Sequence, residues 1–408
     1  MTYRQLYDTL GACFDPARER VDLPDGSASI FTYPFESTAW SILPGRERYA
    51  CDVHQRTFTP RPAGPVPDAP RPGERLDIAD ADVVENRCFR YALFTGAPET
   101  RASGAIFLFH GLNERSWDKY LPWAHRLVAQ TGKAVVLFPI AFHMNRAPAA
   151  WSDPRLMQRV AGARQAASPT IVNASFANAA ISTRLQAKPQ RFCWSGLQTL
   201  YDILHLVDDV RAGRHPHLAP DASIDFFGYS IGAFLCEILL MADPGARFAD
   251  TRLFMFCGGV TVDRMYPNAR YILDSDATIA LYSFFLARFE NERRSDDRLD
   301  HYMSAEHAEG LYFRAMLNYP ENRELRERRI AALSDRIAAL ALRRDTVIPA
   351  TEVLNTLQGD FRAIPVRVEV ADFPYAYNHV IPFPATAPAD EVERSFDHVF
   401  TAAAAHLS

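Results

Sequence analysis

A series of short, wholly apolar runs, separated by stretches of helical periodicity from about residue 85 onward, does most to limit how this chain can fold. Ala105–Phe109 and Ala134–Ile140 have no polar face, as expected of strands covered on both sides. Between them Trp117, Tyr120, Leu121, Ala124, Leu127 and Val128 recur at helical spacing, and Gly132 follows as a C-cap. A second helix is marked by Leu197, Leu200, Tyr201, Leu204 and Val207. The strand Ser223–Phe227 follows, then a helix from about Ile231 to Met241, stopped by Pro244-Gly245. Leu253–Cys257, Ile337–Leu342 and Val366–Val370 read as three more strands. Val392, Phe396, Val399 and Phe400 mark a closing helix near 390–405. The alternation predicts an α/β protein with a mostly parallel central sheet flanked by helices.

Two connections, 141–195 and 258–335, are too long for simple crossovers and predict helical insertions forming a cap over the C-terminal edge of the sheet. Within the second, Ile279, Leu281, Phe284, Phe285 and Phe289 form an apolar stripe that reads as cap core. Residues 81–408 are thus the main domain, and 1–80 an N-terminal extension packed on it. The extension holds a β-like piece at 27–35. Its prolines at 60, 62, 65, 67, 70 and 72 exclude a helix or inner strand and predict an extended connector over 60–75.

The composition, 48% hydrophobic and 23% charged over 408 residues, excludes wholesale disorder. A formal net charge of −5 argues against nucleic-acid and anionic-membrane partners, which reward a basic surface. Only Lys119, Lys133 and Lys188 are lysines, and the arginine excess reads as coding bias rather than as anion sites. The six cysteines stand singly, in a spacing that fits neither a zinc site nor a redox motif. The segment MTYRQLYDTLGACFD lacks an apolar signal core and no run approaches 18 apolar residues, so no membrane insertion and a cytoplasmic location are expected. His215 and His217, flanking Pro216, read as surface residues, and Arg323–Arg328 as a solvated helix face.

Chemistry concentrates in Gly228-Tyr229-Ser230-Ile231-Gly232, directly after a strand and directly before a helix. A tight strand-to-helix turn exposes a serine hydroxyl above the sheet, and the following helix N-terminus favours developing negative charge. His110-Gly111-Leu112-Asn113 ends an earlier strand, where a glycine lets a backbone N–H approach an oxyanion. Ile231 and Leu112 are the expected donors, and His110 reads as a brace for the loop.

In its order of strand–HG, then strand–GYSIG–helix, then acid, then histidine, the sequence resembles the α/β-hydrolase superfamily over residues 105–383. That resemblance implies the α/β-hydrolase fold. It places the acid at Asp345, in the turn Asp345-Thr346-Val347-Ile348-Pro349, and the histidine at His379, after the last strand. The implied triad is Ser230 as nucleophile, His379 as base and Asp345 as the group orienting the imidazole. Asn113, Arg115, His143, Arg146 and Tyr229 are the expected substrate contacts. The implied activity is a serine hydrolase cleaving a carboxylic ester, or a thioester or amide, through an acyl-enzyme. Esterase is favoured over peptidase because no peptide-terminus anchor is recognisable. A small-molecule, partly apolar acyl substrate is expected. No metal, nucleotide or organic cofactor is implied, and a homo-oligomer is compatible with the sequence. The rival readings are an acyltransferase with the same triad and a non-catalytic binding protein of the same fold.

Overall fold

In a computed structural model of the chain, residues 1–59, 76, 78–96 and 100–408 are described; the connector expected at 60–75 lies outside them. Eleven strands are named here in chain order: β1 (Arg20–Asp22), β2 (Ser29–Glu36), β3 (Tyr49–Cys51), β4 (Arg56–Phe58), β5 (Cys88–Thr95), β6 (Ala102–Phe109), β7 (Ala134–Leu137), β8 (Leu218–Tyr229), β9 (Leu253–Phe256), β10 (Ile337–Leu342) and β11 (Arg367–Ala371). All but the β3–β4 hairpin form one sheet in the order β1-β2-β5-β7-β6-β8-β9-β10-β11. From β7 to β11 every pairing is parallel, while β5 runs antiparallel to both β2 and β7. One antiparallel second strand, one exchange of order (β7 before β6) and a parallel run thereafter define the α/β-hydrolase fold, with β1 as an extra edge strand.

Alternate side chains of the apolar strands enter two different cores, which explains their lack of a polar face. Phe107, Phe226, Met255 and Ala339 pack on one side with the helices Arg191–Arg211 and Ile231–Ala242. Ile106, Phe227, Phe254 and Leu340 pack on the other with Tyr3–Cys13, Leu121–Thr131 and Ala389–Leu407. The first insert has a small core of its own, in which Trp151, Met157 and Val160 meet Leu76 and Val83. Among the described residues, no helix is long and apolar enough to cross a membrane.

Several sequence expectations need correcting. Residues 27–35 do not merely pack on the main domain: β2 pairs with β5 over eight positions, and is therefore the first strand that the hydrolase fold requires. Pro34 is tolerated there because β1 pairs only with Ser29, Ile30 and Phe31, so the missing N–H faces an edge where β1 has ended. The stripe from Ile279 to Phe289 is not one helical face. A π-helical turn over Ser283–Arg288 shifts the register, so Phe284, Phe285 and Phe289 are buried while Ile279 is exposed. Arg326 breaks the solvated face expected at Arg323–Arg328. It is fully buried and donates to the carbonyls of Ala315, Asn318, Tyr319 and Glu321. His215 is buried too, its Nδ1 accepting from the backbone N–H groups of His217 and Leu218.

Candidate active site

β8 ends at Tyr229 and the next helix begins at Ile231, so the turn between them consists of Ser230 alone. Its φ of 56° and ψ of −121° lie in a region that L-residues rarely adopt, the strained geometry of a nucleophile elbow. The flanking glycines are steric requirements. A Cβ on Gly228 would lie 2.4 Å from the Ala233 Cα, and one on Gly232 would lie 2.4 Å from the Phe109 carbonyl oxygen. That second contact brings the end of β6 against the start of the helix.

The Ser230 Oγ lies 2.7 Å from His379 Nε2, and His379 Nδ1 lies 2.7 Å from Asp345 Oδ2. All three side chains are buried. Ser230 follows β8, Asp345 follows β10 and His379 follows β11, so three strands within a run of four deliver the three groups to one sheet edge. Asp345 is itself held, because its Oδ1 accepts from the N–H groups of Val347 and Ile348 at 2.8 and 2.9 Å. These bonds leave Oδ2 to the imidazole and fix Nε2 as the nitrogen facing the serine.

The HG loop is fixed in a neutral, single-tautomer state. His110 Nε2 accepts from the Ile140 N–H at 3.0 Å, so its Nδ1 carries the proton and donates to the Gly111 carbonyl at 2.8 Å. Burial, reinforced by His143, holds its pKa well below the usual imidazole range. The Gly111 N–H donates to Tyr120 Oη, and the next residue, Leu112, lines the cleft. Ile231 begins its helix, where the N–H has no intrahelical acceptor.

The cleft over Ser230 is rimmed by Gly111–Ser116, by Phe176 and Ala177 from the first insert, and by Tyr271 and Ile272 from the second. Asn113, in the left-handed region at φ 64°, donates from Nδ2 to Ala177 O at 2.7 Å and to Tyr271 O at 2.8 Å. Arg115 Nη2 donates to the carbonyls of Phe176, at 3.1 Å, and Ala177. Both residues stand at the mouth and hold the insert backbones there.

Tyr229 lines the cleft beside Ser230 but is only 1% exposed: its ring stacks on His379 with centroids 5.6 Å apart, and its hydroxyl donates to the His379 carbonyl. Arg146 needs correction as a substrate contact. It is fully buried, pairs with Asp202 at 2.7 Å, donates to Asn86 and to the Pro139 carbonyl, and lines none of the cavities at the triad. His143 does face the interior space: its Nδ1 donates to Ala141 O at 3.0 Å, its Nε2 has no partner among the described residues, and burial lowers its pKa.

Behind the elbow, Leu112, His143 and Ile231 border a small chamber of about 60 Å³. Its walls are otherwise mostly apolar, with Leu197, Leu200, Phe234, Leu235, Ile238 and Phe313 among them. Sequence reasoning missed the bracing group of Glu114, Lys119 and Tyr120. Tyr120 Oη donates to Glu114 at 2.8 Å, and Lys119 pairs with Glu114 and donates to the Val380 carbonyl at 3.1 Å, beside His379. One signal for it was present in the sequence, since Lys119 is one of only three lysines.

Sheet order, elbow and strand-end placement together define a protein of the α/β-hydrolase fold with a serine, a histidine and an aspartate in hydrogen-bonded series. The chain belongs to the family of unknown function DUF6051, whose model matches residues 1–408. No curated protein matches it. Among solved structures it is similar to carboxyl esterase 2 of the mycorrhizal fungus Tuber melanosporum, at 11% identity and a TM-score of 0.43, covering 79% of this chain and 82% of that one. It is also similar to a thermostable esterase of Pseudomonas putida ECU1011, at 10% identity and a TM-score of 0.42, covering 100% and 91%. For the esterase LipW of Mycobacterium marinum the identity is 15%, the TM-score 0.36 and the coverage 78% of each chain. At such values the fold assignment rests on the strand order and not on these neighbours.

Proposed function

We propose that this protein is a serine esterase that cleaves carboxylic esters through an acyl-enzyme. The hydrogen-bonded series Ser230–His379–Asp345 carries the reading. Ser230 Oγ attacks the ester carbonyl as its proton passes to His379 Nε2, and Asp345 stabilises the resulting imidazolium. The oxyanion is received by the N–H groups of Ile231 and Leu112, each donor contributing about 3–4 kcal/mol to transition-state stabilisation. Collapse expels the alcohol with the proton from His379. Water, deprotonated by the same nitrogen, then releases the acid and restores Ser230. The small apolar chamber behind Ile231 suits a short acyl group, and the cleft under Asn113 and Arg115 suits the alcohol side.

Labelling with a fluorophosphonate, followed by peptide mass spectrometry, tests this directly. The adduct should sit on Ser230 and be absent from Ser230→Ala, and that variant should lose roughly 10⁶-fold in kcat on p-nitrophenyl acyl esters of graded length. Turnover that survives the substitution would overturn the assignment. Acyl transfer to added alcohols in preference to water would instead favour the acyltransferase reading.

A further inference from the structure

Four side chains far apart in sequence converge between the N-terminal hairpin and the second insert. Cys51 ends β3 and His54 lies in the turn to β4, while His301 sits in the helix Asp297–Tyr302 and His307 precedes the helix Ala308–Ala315. Cys51 Sγ is 3.6 Å from His54 Nδ1 and 3.5 Å from His307 Nε2, and His307 Nε2 is 3.1 Å from His301 Nε2. One such atom from each of the four lies within 4.8 Å of all the others. A tetrahedral zinc, with Zn–S of ~2.3 Å and Zn–N of ~2.0–2.1 Å, separates its ligand atoms by roughly 3.3–3.6 Å.

The outer nitrogens carry carboxylate partners. His307 Nδ1 lies 3.0 Å from Glu309 Oε1, which also accepts from the Tyr201 hydroxyl, and His301 Nδ1 lies 2.8 Å from Glu306 Oε2 and 3.2 Å from Arg56 Nη1. At His307 the carboxylate keeps the proton on Nδ1 and turns the Nε2 lone pair inward, as in carboxylate–histidine–zinc arrangements. That lone pair faces His301 Nε2 at 3.1 Å and the Cys51 thiol at 3.5 Å, the donor set that a cation among them would gather. Cys51, His301 and His307 are buried. His54 is exposed, and His301 also lines a surface cleft with Arg56, Asp297 and Glu306, which gives an ion a way in.

We propose that Cys51, His54, His301 and His307 bind one zinc ion. Cys51 releases its proton to solvent on binding, and one thiolate with three imidazoles completes a closed tetrahedral set, the form of a structural site. The ion ties the hairpin to the second insert. Through His307 and Glu309 it also supports the chamber wall, which Glu309 lines together with Phe313. The cysteine spacing alone points away from zinc. The set is split between a C-x-x-H pair and two histidines about 250 residues later, which only the fold unites.

The test uses the full-length chain without an affinity tag, dialysed against a chelating resin and analysed for metals by mass spectrometry. About one zinc per chain is expected, falling to background in Cys51→Ser. Cobalt added to the zinc-stripped protein should give strong tetrahedral visible bands and a thiolate-to-cobalt charge-transfer band that Cys51→Ser lacks. Because His54 is exposed, His54→Ala should keep the wild-type circular dichroism while weakening zinc binding at least tenfold, so the proposal stands or falls even if Cys51→Ser does not fold. No zinc retained or taken up, octahedral cobalt spectra, iron or copper in place of zinc, or retention unchanged in His54→Ala would each overturn it. Fluorophosphonate labelling of Ser230 is read separately and does not enter this test.

Discussion

Asp345 divides three partners between its two oxygens, and only one of them is the catalytic histidine. Oδ1 is committed to backbone amides, so the carboxylate cannot swing, and Oδ2 meets His379 in a single orientation. Asp345→Asn should therefore fold normally yet lower kcat by about 10⁴, because an amide favours the wrong imidazole tautomer. Steady-state kinetics with a parallel thermal melt checks both halves. Arg146 gives the opposite pattern. Its partner Asp202 is fully buried and also accepts from Ser37, so Arg146→Met strands a charge and should destabilise the fold by about 3–5 kcal/mol. Denaturant unfolding measures this, and an unchanged stability with a raised KM would return Arg146 to the substrate. Such residues are hard to judge from sequence. A conspicuous Arg after a strand end looks alike whether it faces a ligand or a buried aspartate 56 positions away.

The helix Ile231–Ala242 carries a buried acid, Glu237, whose two oxygens have no hydrogen-bond partner among the described residues. Burial outweighs the nearby Arg326 and raises its pKa well above the 4.5 of a free glutamate, so the folded chain keeps the proton. The unfolded chain loses that proton as pH rises through about 4.5, so the native state binds more protons above that point and stability falls as pH increases. Glu237→Gln should flatten this slope, read as a smaller drop in Tm between pH 5 and pH 8 than in the wild type; an equal drop would mean that Glu237 ionises in place. At the level of elements the sequence was most legible where burial is total. The runs that became β6, β8, β9 and β10 show both cores in their composition, and the elbow is marked by glycines with no steric alternative. It was least legible where geometry departs from a fixed period, as at the π-helical turn that breaks the stripe ending at Phe289.

Across the whole molecule, the N-terminal segment is the part whose role the sequence concealed. A proline within a short strand, followed by a proline-rich stretch, disguises β2 as an appendage, whereas its partner β5 needs it along eight residues. Asp80 adds to the tie by pairing with both Arg184 and Arg191, 104 and 111 positions later. A chain beginning at residue 81 should leave β5 as an unpaired edge lined by Phe89, Tyr91 and Leu93, and should aggregate on expression. Light scattering and far-ultraviolet circular dichroism of that truncation decide the point, because a soluble chain with the full-length spectrum would make the segment dispensable.

The order in which the strands deliver the triad also sets a schedule. Ser230 is joined to the growing chain 149 residues before His379. At about 5–20 residues per second, the interval on the ribosome is roughly 7–30 seconds. Once the helix Ile231–Ala242 has followed, the elbow can already be formed, but His379 is not yet present to take the serine proton. The nascent polypeptide thus passes more than a third of its synthesis with an inert hydroxyl, and acquires its reactivity only as the last strand and the loop after it leave the exit tunnel.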